Sequence, residues 1–154
     1  MSQANFEVVQ LDEKKYIGVA ATSSFQNITG IAEARNIFMD RKREIELIGD
    51  ENTYTCVHFA NEVLFTYIYC VGVQELKTIP NGMIGFTVPN QQYVKFCSTG
   101  EEPYEAISHY VKENDMVINT NAVSLEVFKF GKEENKYNAD IYVPFLYKTV
   151  ESFN

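Results

Sequence analysis

The sequence predicts an α+β fold in which a strand–helix–strand–strand unit occurs twice, related by an approximate two-fold. Three observations predict it. Two β-like runs, KKYIGVAATS (14–23) and QQYVKFCSTG (91–100), match in placing Tyr before a β-branched residue and ending in small hydroxylated residues. Each is followed by a stretch with helical spacing of apolar side chains, and each of those by two further strand-like runs. Two antiparallel sheets with a central ligand cleft between them are the expected architecture, because neither half, at about 75 residues, buries a full core alone.

The elements follow in order. Apolar Ile28, Ile31, Ala34, Phe38, Ile45 and Ile48 lie near one face of a helix expected over roughly 27–47. The basic run Arg41-Lys42-Arg43, followed at once by Glu44, reads as the solvated end of that helix. YTCVHFA (54–60) and LFTYIYCVGV (64–73) form a hairpin across Asn61-Glu62. The link 76–90 carries the turn signals Pro80-Asn81-Gly82 and Pro89-Asn90. In the second half Pro103 suits a first helical position, and Tyr104, Ile107 and Val111 mark the stripe of a helix over roughly 102–114. SLEVFKF (124–130) and ADIYVPF (139–145) close the unit around the polar loop GKEENKYN. The 154 residues are therefore read as one domain, 1–154, with a first repeat at about 5–75, the link, and a second repeat at about 91–148.

Bulk properties narrow the function. A net charge of −8 opposes direct binding to nucleic acid, which needs clustered Lys and Arg. Three cysteines without CxxC spacing oppose both a disulfide framework and a zinc site, and no metal or cofactor is expected. MSQANFEVV is not patterned as a signal peptide and no apolar run has the length of a membrane span, so a cytoplasmic location is expected. Asn27-Ile28-Thr29 is then a chance match to a glycosylation sequon. Nucleotide-binding and common hydrolase motifs are absent. Ten Tyr and eleven Phe, spread over the strands, fit either plain strand packing or a cavity wall with polar tips.

Glu126 is the residue that raises a question. With a period of two it shares a strand face with Phe128 and Phe130, and an ionised carboxylate among aromatic rings needs a partner. It either faces solvent beside a lysine or waits, partly buried, for a cationic ligand held also by the aromatic faces. Asp140, Tyr142 and Pro144 share one face of the following strand, so an acid and a phenol would stand beside Glu126 if the hairpin pairs in that register. Tyr67, Tyr69 and Val71 share a face of the earlier strand, and whether it points inward is open. Cys56 and His58 lack further ligands at a recognisable spacing and read as structural, and His109 reads as a surface residue.

The succession KKYIGV, YIYCVGV, IPNGM, VPNQQYVKF, EEPYEAI, SLEVFKF and DIYVPF resembles the GyrI-like small-molecule-binding family, whose relatives include effector-binding domains of AraC-type and multidrug-responsive transcription activators. The resemblance covers nearly the whole chain. It implies a pocket lined by Glu126, Asp140 and Tyr142, with Tyr69, Tyr67 and Phe128 as aromatic neighbours, and a hydrophobic or amphipathic cation as ligand. Asp140 stands where some relatives carry the longer Glu. The module begins by residue 6, so action on DNA would need another protein, such as a transcription regulator.

Three kinds of function fit. The first is a stand-alone binding module, monomeric, acting as sensor, sequestering protein or transcription-linked adaptor. The second, implied by some GyrI-like proteins, is a hydrolase of strained cyclopropanoid compounds with Glu126 as catalytic general base and Tyr142 or Tyr69 as a proton donor. The third is an acidic interaction module of the gyrase-inhibitor type, with a gyrase-like partner.

Overall fold

Strand β1 spans Phe6–Leu11, β2 Lys14–Ser24, β3 Thr53–Ala60, β4 Leu64–Val73 and β5 Ile84–Val88. They are followed by β6 Gln91–Cys97, β7 Met116–Ile118, β8 Ser124–Lys129 and β9 Asp140–Tyr147, with helices α1 at Thr29–Arg41 and α2 at Pro103–Glu113. The computed structural model describes residues 5–26, 29–97 and 100–148. Asn27 and Ile28, which open the expected first helix, and Ser98-Thr99 of the second repeat lie outside the described residues.

The strands form one antiparallel sheet in the order β1-β6-β9-β8-β3-β4-β2-β5, with β7 added beside β9. Read outward from its middle, the order is doubled. β3, β4, β2 and β5 make one half, and β8, β9, β6 and β1 make the other. The two expected sheets thus meet edge to edge where β3 pairs with β8, with Cys56 opposite Glu126. Cys56 is also paired with Tyr69 on β4, and Glu126 with Ile141 on β9, so this pair stands at corresponding positions of the two halves. Glu126 therefore lies at the join of the molecule.

Three strands were not expected from the pattern. β1 and β5 are the outer strands, and each is exchanged. β1 leads into β2 but pairs with β6, while β5 leads into β6 but pairs with β2. Short strand β7 has its own partner at the end of β9, with Met116 opposite Tyr147. In all three, pairing with a strand distant in sequence organises the segment, and local spacing does not record it.

Helix α1 stops earlier than its apolar spacing suggests. After Arg41, which ion-pairs with Glu44, the chain turns through Lys42–Glu44 and becomes extended at Ile45. Ile45 is buried and Ile48 bridges to Val73 of β4, so these two side chains follow the sheet and not the helix. Helix α2 starts as its sequence indicates: Pro103 occupies the first turn, and the Glu102 carboxylate caps the backbone N–H groups of Tyr104 and Glu105. No helix among the described residues is long and apolar enough to cross a membrane.

Each sheet face carries a buried cluster. The helix side packs Ala34 and Phe38 of α1 and Ile107 and Val111 of α2 against Val19, Tyr54, Tyr69, Phe96 and Phe128. On the other side Tyr16, Val57, Ile68, Cys70, Val88, Tyr93 and Leu125 form a second cluster. Close packing there depends on Gly18. A Cβ at that position would lie 1.9 Å from the Tyr69 carbonyl oxygen and 2.5 Å from Cys70 Cα, so β2 and β4 touch backbone to backbone.

Candidate functional site

Antiparallel pairing at the join decides what surrounds Glu126. Residues directly opposite one another point to the same face. Glu126 therefore shares its face with Cys56 on one side and Ile141 on the other, and this is the face the helices cover. Only 5% of Glu126 is exposed.

Phenols hold its charge. The Tyr67 hydroxyl donates to Glu126 Oε1 at 2.8 Å, and the Tyr104 hydroxyl of α2 donates to Oε2. His58 Nε2 lies 3.0 Å from the Tyr104 oxygen and 3.6 Å from Glu126 Oε2. With the Tyr104 proton committed to the carboxylate, the imidazole is the donor to the phenol oxygen. Its ring stacks on Tyr67, with centroids 5.1 Å apart. Burial lowers the His58 pKa, against the opposing pull of Glu126, so the ring next to the carboxylate is neutral at physiological pH. Burial and then the Glu126 charge push the Tyr67 and Tyr104 phenols up, which keeps both as proton donors. Cys56 is fully buried, and the same desolvation keeps its thiol protonated.

A second carboxylate is built in the same way. Glu134, from the loop between β8 and β9, accepts from the Tyr54 hydroxyl at 2.7 Å and the Tyr69 hydroxyl at 3.0 Å. Unlike Glu126 it has a cation, because Arg35 Nε of α1 donates to it at 2.8 Å. Phe38, Phe128 and Phe130 pack around Tyr54, with ring centroids 4.8–6.0 Å away. The loop is tied at a second place, since Lys136 forms an ion pair with the capping carboxylate Glu102 of α2. The loop is thereby tied to both helices.

The sequence expectations divide cleanly. Glu126, Tyr67, Tyr69 and Phe128 come together on the helix side, which settles which way the Tyr67 and Tyr69 face points. Asp140 and Tyr142 do not join them, and this corrects the expected register. Tyr142 pairs with Leu125 and Asp140 with Val127, one residue out of step with Glu126, so both lie on the opposite face. Tyr142 there lines a groove of about 530 Å³ with Tyr16 and Thr55, and Lys95 sits 5.7 Å from its ring centre. Asp140 accepts from the Cys97 thiol at 3.0 Å. Tyr54, His58, Tyr104, Arg35 and Glu134 were not foreseen. For Tyr54 and His58 the available signal was their parity with Cys56. Tyr104 read as part of an apolar stripe and Glu134 as one charge in a polar loop.

The site is thus a buried carboxylate at the join of a doubled sheet, with aromatic side chains between it and two helices. A family model for integron-associated effector binding proteins matches residues 6–145, and the chain belongs to that GyrI-like family. Solved structures agree on the fold. The protein SAV2435, in a structure bound to tetraphenylphosphonium, superposes with a TM-score of 0.64 at 16% identity, covering 92% of this chain and 93% of that one. An integron cassette protein from the mobile metagenome of Vibrio cholerae gives 0.59 at 13% identity, covering 92% and 94%. EcmrR, in a complex with DNA, gives 0.64 at 12% identity over 94% of this chain, which spans 57% of that protein. No curated protein sequence matches the chain.

Proposed function

We propose that this chain, both repeats acting as one domain, is a binding module for lipophilic cations that serves as a sensor, a sequestering protein or an adaptor to a transcription regulator. The observation that carries the reading is the state of Glu126. It is an acid at the join of the sheet, nine-tenths buried, held by two phenols, and the basic group within 4 Å among the described residues is the neutral His58. Phenol donors solvate a carboxylate without cancelling its charge, so a cation brought between the rings gains Coulomb and cation–π attraction together. The tetraphenylphosphonium bound to SAV2435 is a ligand of this chemistry. Tyr67, Tyr69, Tyr104 and Phe128 would supply the walls.

The test is calorimetric titration with tetraphenylphosphonium and a few other lipophilic cations, on wild type and Glu126→Gln. The amide keeps the shape and removes the charge. Binding is expected in wild type, weakened in the variant by about 1–3 kcal/mol. No binding by any of the cations sinks the reading, and equal binding by both proteins removes Glu126 as the counter-charge.

A further inference from the structure

We infer that Glu134, with Tyr54 and Tyr69, is a second cation subsite beside Glu126, so that the preferred ligands are dications carrying planar amidinium or guanidinium groups. The inference rests on the proposed cation site at Glu126 and adds a specificity to it. Three features carry it. First, the two carboxylates share one construction, each accepting from two tyrosine hydroxyls. Second, they are neighbours. Tyr67 serves one and Tyr69 the other, and these rings stand 6.0 Å apart on one face of β4. Third, the Glu134 subsite already holds a cation, the planar guanidinium of Arg35, and so displays the group it accepts.

Position and exposure give the two subsites different depths. Glu126 is nearly closed off, whereas the side chains of Glu134 and Arg35 are 21% and 37% exposed. Arg35 and Glu134 are both partly open to solvent, and screening leaves such a pair weak enough for a ligand cation to compete with Arg35. A dication would place one charge against Glu126 and its second against Glu134, releasing Arg35 to solvent. Spacing follows from the strand. Tyr67 and Tyr69, which donate to the two carboxylates, are two apart on one strand face, about 7 Å between Cα atoms, and a benzene ring with charged groups at opposite ends has a similar span.

The matched probes are benzamidine and 1,4-benzenedicarboxamidine, which differ by the second amidinium alone. Wild type is expected to bind the bis-amidine at least about tenfold more tightly, as a second charge-assisted hydrogen bond gives. Glu134→Gln should bring the two affinities within about twofold of each other, because only the bis-amidine reaches Glu134. Arg35→Ala, a change at a half-exposed helix position, should widen the wild-type preference and serves if the Glu134 variant fails to fold. Equal affinities in wild type, or a preference that survives Glu134→Gln, overturns the inference. So does failure of both amidines to bind, and tetraphenylphosphonium then shows separately whether the Glu126 site itself stands.

Discussion

The two halves of this molecule share a backbone plan and divide the chemistry between them. The first half supplies the hydroxyls, imidazole and guanidinium of Tyr54, Tyr67, Tyr69, His58 and Arg35. The second supplies both carboxylates and one phenol, Tyr104. Corresponding ladder positions show how far they have diverged. Cys56 answers to Glu126, and their β4 and β9 partners are Tyr69 and Ile141. Gly18, opposite Cys70 on β4, answers to Lys95, opposite Tyr142 on β9. A doubled fold thus gives a frame with matching slots, and unlike residues in matching slots make its interior polar and directional.

The sharpest way to break that correspondence is at its tightest slot. Gly18→Ala should destabilise the protein by about 3 kcal/mol or more, because the added methyl meets backbone on β4 and not a movable side chain. Lys95→Ala, its counterpart, loses a half-exposed cation over a ring and should cost about 1 kcal/mol at most. Urea denaturation of the pair reads the contrast, and equal losses would mean that the slots are not distinct.

Next come the two carboxylates. Tyr104→Phe leaves Glu126 with one phenol and takes away the acceptor of His58, a loss of about 1–3 kcal/mol. Tyr54→Phe should cost less, about 1 kcal/mol, since Glu134 keeps Tyr69 and Arg35. A reversed order in thermal or urea unfolding would show that Glu126 is the better compensated of the two.

The smallest effect concerns His58. Its native pKa lies below its unfolded value of about 6.5, so the unfolded chain takes up the proton first as pH falls. Stability should be full above that value and decline as pH drops from it toward the native pKa. His58→Gln, which keeps a donor for Tyr104, should lose this part of the slope between about pH 7.5 and pH 5.5. An unchanged slope would mean that the imidazole takes its proton as readily folded as unfolded.

The repeat, the helices and the inward strands were legible because each is written in local spacing, as in KKYIG against QQYVK and the stripe of α2. So was the oddity of Glu126 beside Phe128. Its surroundings were not. They depend on the meeting of β3 with β8 and on a register that differs by one residue from the expected one, and period-two patterning does not distinguish these when both faces of β8 are buried. Glu134 was hidden for a different reason. Its loop has no periodicity, and only the tyrosines it meets on β3 and β4 give its charge a role.

The exchange of outer strands has a consequence for synthesis. Phe6 at the start of β1 pairs with Phe96 at the end of β6, so the first strand of the domain to leave the ribosome has no neighbour until most of the domain has followed it. The central pairing of Thr53 with Lys129 comes later still. Pairings so distant along the chain slow folding, because loop closure is costly before any of them repays it. The nascent first half is thus an unfinished sheet with β3 open on its inner edge and β5 not yet added. Its apolar strands would depend on rapid synthesis or on a chaperone to stay unaggregated until the second half arrives.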